Sequence, residues 1–235
     1  MESLQKIKTI SKMFDINKMK IKLFEYDTAM ENTKGMVKEF LSKEKNYNLD
    51  IIHFKENDIV IDIGANIGLV SIYLAKKYPF ITIYSYEPVL DNYHHFLMNI
   101  EANNVSNIKP FNKAVTSDGR DVTININFDN SGGGSFNAPK ANNIKYPNIK
   151  SIILDRIFIE NKIKKCKFLK IDCEGAEYEI LLNSKMLNRI EYFSGEFHYN
   201  KYLTGQGNSP EKLYNHLIKY IKKDNIKYHT CKMAE

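Results

Sequence analysis

Two rhythms of hydrophobic and polar positions divide the chain. From Asp58 onward, short runs of consecutive apolar residues alternate with stretches whose apolar positions recur every three or four residues, as buried strands and helices do in turn. The run "IVIDIG" predicts a strand, "GLVSIYLAKKYP" a helix halted at Pro79, and "ITIYSYEP" a second strand halted at Pro88. "VLDNYHHFLMNIEANN" predicts a helix with Leu90, Tyr93, Phe96, Leu97 and Ile100 on one side, and "IKPFNKAV" a short third strand. Strands and helices alternating in this order predict an α/β fold built on a parallel sheet.

The alternation breaks after Val115. Val122, Ile124, Ile126 and Phe128 alternate with polar residues as in an antiparallel strand, and "NSGGGSF" reads as an irregular loop, so residues 116–147 form a hairpin and loop insertion. A helix-like "SIILDRIFIE" then leads to "KFLKIDCEGAEYEILLNS", a strand from Phe168 to Ile171 that passes at Asp172 into a helix. "IEYFSGEFH" is the next strand, and "NIKYHTCK" suits a last one. Ser209 and Pro210 are placed as N-cap and first residue of the helix "EKLYNHLIKYI", whose Leu213, Leu217, Tyr220 and Ile221 repeat helically. Residues 1–57 show no clean period beyond a strand-like "MKIKLFEY" and a helix-like "AMENTKGMVKEFLS". They are an N-terminal cap to a domain spanning 58–235.

Composition narrows the class. The chain has 235 residues, 43% hydrophobic and 26% charged, enough for one sizeable core. No run of about 18 apolar residues could cross a bilayer, and the opening "MESLQKIKTISKMF" lacks the apolar centre of a secretion signal, so a cytoplasmic location is expected. Cys166, Cys173 and Cys231 fit neither a disulfide framework nor a CxxC metal knuckle. A net charge of +6 is spread over lysines along the whole chain rather than gathered in one arm, which favours a solvated surface over a nucleic-acid groove. The oligomeric state is not encoded in any pattern found.

Four polar clusters fall at predicted strand ends, where ligands bind in open parallel sheets: Asp62 to Gly68, Glu87, Asp172 to Glu177, and Glu196 to His198. In "VIDIGANIGLVS", Gly64 and Gly68 permit a sharp turn out of the strand, and Asn66 tolerates a left-handed backbone. Dinucleotide sites place three glycines as G-x-G-x-x-G, but here the third would fall at Leu69. Asp62 suits a cationic amine better than a pyrophosphate. An ordinary β-to-α turn explains two glycines alone equally well. Glu87 ends the second strand some twenty residues on, where a carboxylate can accept both hydroxyls of a ribose. Loop and carboxylate together describe a site for S-adenosylmethionine.

At this point the sequence resembles a known family. "VIDIGANIGLVS", "YSYEP", "NKAVTSDG", the "LD" of Leu154 and Asp155, "FLKIDCEGAEYEIL" and "GEFH" stand in the order found in FkbM-type S-adenosylmethionine-dependent methyltransferases, over roughly Asp58 to Tyr199. The resemblance implies a class I methyltransferase (Rossmann-like) fold, a mostly parallel seven-stranded sheet with helices on both faces and one antiparallel strand near the C-terminus. It implies action on hydroxyl oxygens of small molecules and sugars. It carries cofactor contact to Asp62, Gly64, Asn66, Gly68 and Glu87, and places Asn112 to Ala114 near the adenine.

The reaction then constrains the rest. An acceptor oxygen must be held in line behind the activated methyl group and must lose its proton. Asp172 and Glu174 are candidates for positioning substrate or cofactor, and the reading of Glu177 is divided between catalysis and interaction with a helix dipole. His198, two residues past Glu196 on a strand, is the candidate general base with Glu196 to orient it, against the alternative of a merely hydrogen-bonded histidine. His94 and His95 fall in a helix pattern as surface or packing residues. Asp172, Glu196 and His198 have the atom types a divalent ion uses, though no spacing motif demands one and no metal is predicted. The glycine-rich loop reads either as a lid, with Tyr146 as an aromatic wall, or as plain loop. An O-methyltransferase acting on a sugar or small polyhydroxylated metabolite is the leading expectation. An N-methyltransferase on a small amine, an NAD-dependent sugar oxidoreductase or epimerase, and a nucleic-acid methyltransferase are the alternatives.

Overall fold

The computed structural model describes residues 8–42, 46–126, 134–135 and 144–233. The chain enters through a hairpin of β1 (Thr9–Ile16) and β2 (Met19–Tyr26), turned by Asn17 and Lys18, both in the left-handed region that tight hairpins require. Helix α1 (Met30–Leu41) follows. Then come β3 (Ile59–Ile63), α2 (Leu69–Lys77), β4 (Thr82–Tyr86), α3 (Leu90–Ala102) and β5 (Ile108–Phe111), in the order the apolar pattern predicts.

The next segment differs from expectation. "IKPFNKAV" is two strands, because β5 ends at Phe111 and β6 (Ala114–Thr116) leaves the main sheet to pair in parallel with β10 (Ser151–Ile153). The helix expected over "SIILDRIFIE" therefore begins only at Leu154, as α4 (Leu154–Glu160). Between β6 and β10 lies a small antiparallel sheet of β7 (Val122–Ile126), β8 (Gly134–Ser135) and β9 (Ile144–Ile149), with β7 in the middle. Phe128 and most of the glycine-rich loop lie outside the described residues. The remainder is β11 (Cys166–Ile171), α5 (Glu177–Asn183), β12 (Ile190–Tyr199), α6 (Lys201–Gly205), α7 (Pro210–Leu217) and β13 (Ile226–Lys232). Ser209 caps α7 by accepting from the Lys212 N–H at 3.1 Å, with Pro210 next, as the sequence indicates.

Among the described residues the main sheet has six strands in the order β13-β12-β11-β3-β4-β5, and every neighbouring pair is parallel. This corrects the expected seven strands with an antiparallel member near the C-terminus. The cause is the connection: α6 and α7 cross between β12 and β13, and a crossover returns the chain in parallel, whereas an antiparallel pair needs only a hairpin. The order reverses between β3 and β11, so a switch point opens at their carboxyl ends.

Alternation along the strands sorts the core. Ile61, Ile63, Leu169 and Ile171 face one layer with α4, α5 and α7, while Val60 and Phe168 face the other, with α1, α2 and the hairpin. Asp62 and Lys170, paired across the strands, share that second face. Helix α3 buries Asn92, His95, Phe96 and Asn99, while Leu90 and Leu97 are exposed, contrary to the apolar side the sequence suggests. The reason is the hairpin. Asn103 Nδ2 and Oδ1 bond the Lys22 carbonyl and N–H, and Asn99 does the same for Phe24, so amide side chains cover the inner edge of β2 as a strand would.

Candidate active site

A cavity of about 260 Å³ opens at the carboxyl ends of β3, β4 and β11, where the switch point places it. Its floor is the bend after β3. Gly64 (φ 76°), Asn66 (φ 52°) and Gly68 (φ 90°) all take left-handed backbone there. A Cβ on Gly64 would come within 1.8 Å of the Asp172 carbonyl oxygen, so glycine is what lets the exits of β3 and β11 converge. Of the residues the sequence singles out, Gly64, Asn66, Glu87, Ala114, Asp172, Glu174 and Glu196 border the cavity.

Glu87 sits on the β4 side, buried. Its Oε2 accepts from the Asn66 N–H at 2.7 Å and its Oε1 from the Val89 N–H at 2.9 Å. Burial pushes its carboxyl up to about 7, against the pull of those N–H donors. Asn112 does not border the cavity; its Nδ2 donates to the carbonyls of Glu87 and Pro88 and braces the loop that carries the carboxylate. Tyr86, Val89, Val115 and Ile124 supply apolar surface beside it. Tyr146 is no part of that wall: its hydroxyl donates to Asp91 on α3 at 2.6 Å.

Two further predicted contacts lie beneath the bend rather than in the cavity. Gly68 is the N-cap of α2, and a Cβ there would meet the Phe96 ring at 2.0 Å, so its glycine serves helix packing. Asp62 is buried, accepts from Ser71 Oγ at 2.6 Å, and lies 3.3 Å from Lys170 Nζ. The cationic partner its position calls for is thus supplied by the chain itself. Lys170 also donates to the Gly64 carbonyl at 2.6 Å, tying β11 to the bend. Burial alone would lower the Lys170 pKa, but Asp62 and Asp172 outweigh it and raise it. Sequence reasoning missed this residue, although a lysine inside the apolar run "KFLKID" was the signal. Tyr47, whose hydroxyl donates to Asp172 Oδ2 at 3.3 Å, carried no signal at all.

The opposite side of the cavity is acidic. Asp172, Glu174 and Glu196 converge there, and His198 stands behind them, buried, with Nδ1 bonded to Glu177 Oε1 at 2.9 Å. Glu177 is wholly buried and accepts from the Cys173 and Gly175 N–H groups, so it closes the start of α5 and orients the histidine. Burial would lower the His198 pKa, but hydrogen bonds with Cys231 and Glu177 and the charges of Glu177 and Glu174 push it up to about 12. Burial pushes Glu174 up to about 8, with His198 opposing and the other carboxylates adding to the rise. Of the other two predicted histidine positions, His94 is exposed and His95 is buried against Glu25.

Residues 62–228 match the family model described as the methyltransferase FkbM domain. The chain belongs to the FkbM methyltransferase family. Its domain is an S-adenosylmethionine-dependent methyltransferase domain. The chain is similar to "Methyltransferase 1" of Beauveria bassiana (strain ARSEF 2860), 27% identical over 165 residues that cover 61% of this chain and 66% of that protein. It is also similar to "Methyltransferase sdnD" of Sordaria araneosa, 27% identical over 175 residues, 61% of this chain and 67% of that one. It thus spans about two thirds of these curated relatives' length. Among solved structures it is similar to M. jannaschii TYW2 in complex with AdoMet, 25% identical with a TM-score of 0.27 over 43% of this chain and 42% of that one. A precorrin-6y C5,15-methyltransferase from Geobacter metallireducens GS-15 gives 14% identity and a TM-score of 0.36 over 61% and 54%.

The FkbM cavity fits that cofactor. Glu87 offers carboxylate oxygens for ribose hydroxyls, the apolar surface beside it suits a purine, and the acidic side suits a sulfonium and an ammonium. No helix among the described residues is long and apolar enough to cross a membrane.

Proposed function

We propose that this FkbM chain is an O-methyltransferase whose acceptor is a hydroxyl of a sugar or another small polyhydroxylated metabolite. The observation that carries this reading is the convergence of Asp172, Glu174 and Glu196 on one side of the cavity, opposite Glu87. Carboxyl oxygens accept hydrogen bonds, so three such groups on one side can hold neighbouring hydroxyl groups and direct one oxygen at the methyl group.

When bound, S-adenosylmethionine supplies an electrophilic methyl group on a sulfonium. The acidic side orients the acceptor oxygen toward it. A carboxylate of that side would accept the proton that the acceptor hydroxyl loses on methylation. His198 acts through these carboxylates, since it lies behind them with Nδ1 committed to Glu177, and we reassign it from base to positioning residue. Lys170 ties β11 to the bend after β3, and Glu177 links the start of α5 to His198 on β12. Acceptance of the proton within the wall contributes roughly 10²–10⁴ in rate.

The same carboxylates favour oxygen over nitrogen. A small amine would be held here as its ammonium, which has no lone pair to attack with. An NAD-dependent reading draws no support, because Leu69 takes the place of the third glycine and borders the cavity. Lysines spread along the chain support a small acceptor over a nucleic acid. Incubation with S-adenosylmethionine and matched panels of sugars and amines, read by mass spectrometry, tests the proposal. One added methyl group on a sugar supports it, and methylation confined to amines contradicts it.

A further inference from the structure

Asp172, Glu174 and His198 bring ligand atoms together beside the cavity, and Glu196 stands with His198 and Cys231 in a second, overlapping group. His198 Nε2 lies 3.5 Å from Glu174 Oε2 and 4.0 Å from both Asp172 Oδ1 and Glu196 Oε2. The candidate ligand atoms of Asp172, Glu174 and His198 all fall within 4.8 Å of one another. Such gaps are wide for hydrogen bonds. They approach the ~3–3.5 Å edges of a shell whose ligands stand about 2.0–2.2 Å from a metal ion.

The far atoms of the same side chains are already held. His198 Nδ1 is held by Glu177, itself anchored by two backbone N–H groups, and Nε2 is the nitrogen facing Asp172, Glu174 and Glu196. Asp172 Oδ2 accepts from Tyr47 and lies 3.8 Å from Lys170 Nζ, which leaves Oδ1 facing the histidine. A carboxylate that orients a histidine from behind, while its second nitrogen meets carboxylate oxygens, is how proteins support metal-ligating imidazoles.

From this geometry we infer a divalent-cation site formed by Asp172, Glu174 and His198, with Glu196 beside it and one face open to the cavity. One imidazole nitrogen among carboxylate oxygens suits Mn²⁺, Co²⁺ or Zn²⁺ better than Ca²⁺, which takes oxygen ligands alone. A cation there binds acceptor hydroxyls directly, which narrows the substrate class to molecules with neighbouring hydroxyl groups. The inference rests on the O-methyltransferase reading and assigns a further ligand to the same site.

Mn²⁺ added to the full chain, with the free ion followed by electron paramagnetic resonance, tests it without an acceptor. Calorimetric titration of the same preparation with S-adenosylhomocysteine is run in parallel. The expected result is one equivalent of Mn²⁺ bound, with affinity at least tenfold weaker in Glu174→Gln and in His198→Gln. The wild-type measurement stands even where a variant fails to fold. Binding of S-adenosylhomocysteine with no retention of Mn²⁺ at millimolar concentration overturns the cation site alone. Mn²⁺ bound equally well by folded variants overturns it too, as adventitious binding elsewhere. Loss of both ligands overturns the methyltransferase reading and the cation site with it.

Discussion

Lys170 and Asp62 face each other across neighbouring strands, Nζ to Oδ1 at 3.3 Å, with both side chains almost wholly removed from water. A buried charge pair adds little net stability when intact, yet removing one partner strands the other in the core. Lys170→Met is therefore expected to lower the unfolding free energy by roughly 3–5 kcal/mol. Urea denaturation checks this, and adding Asp62→Asn to the same chain should restore part of the loss.

With Glu87 proposed as the ribose-binding carboxylate, cofactor binding should depend on pH. Its folded-state value of about 7 stands above the 4.5 of an ordinary glutamate, so the folded chain takes up a proton as pH falls from 7 toward 4.5. That uptake favours the folded state in this window. Affinity should move the other way, since a protonated carboxyl would accept ribose hydroxyls less well. Calorimetry on either side of pH 7 should show S-adenosylhomocysteine binding more weakly on the acid side. Glu87→Gln should weaken it by roughly 1.5–3 kcal/mol, about 10- to 150-fold, and flatten the pH profile.

Gly68 and Gly35 make a matched pair for the cost of a methyl group. At Gly68 a Cβ meets the Phe96 ring at 2.0 Å on a backbone of φ 90°, whereas at Gly35, within α1, nothing lies within 4 Å. Gly68→Ala should destabilise by roughly 2–4 kcal/mol from left-handed strain and overpacking. Gly35→Ala should stabilise by up to about 1 kcal/mol from helix propensity. Thermal melts of the two variants distinguish these outcomes by sign.

The hairpin is docked through amides. Asn99 Nδ2 donates to the carbonyls of Phe24 and Ile67, and Asn99 Oδ1 accepts from the Phe24 N–H. Asn99→Leu leaves these backbone groups without partners, at about 1–3 kcal/mol for each one kept from water. Hydrogen exchange should quicken at Phe24 while the amides of β3 and β11 keep their protection.

What the sequence made legible follows from how locally each feature is determined. Gly64, Asn66 and the carboxylate at Glu87 are written in strand ends and turn residues and border the cavity, whereas Gly68, in the same bend, packs beneath it against Phe96. The parallel β13 was not legible, because the pairing direction depends on what α6 and α7 do between strands. The buried face of α3 was misread for a similar reason: an amphipathic pattern assumes an apolar partner, and Asn99 and Asn103 meet the backbone edge of β2 instead. His198 was rightly placed at a strand end beside Glu196, but its burial behind the acidic wall depends on Glu177, twenty-one residues earlier. Lys170 is the one site residue that a closer reading of an apolar run could have found.

Binding of S-adenosylhomocysteine to the purified chain, measured by calorimetry at neutral pH with NAD as the comparison, tests the central claim most directly. One equivalent of S-adenosylhomocysteine should bind, with no heat from NAD. A chain that binds NAD and ignores S-adenosylhomocysteine would contradict it.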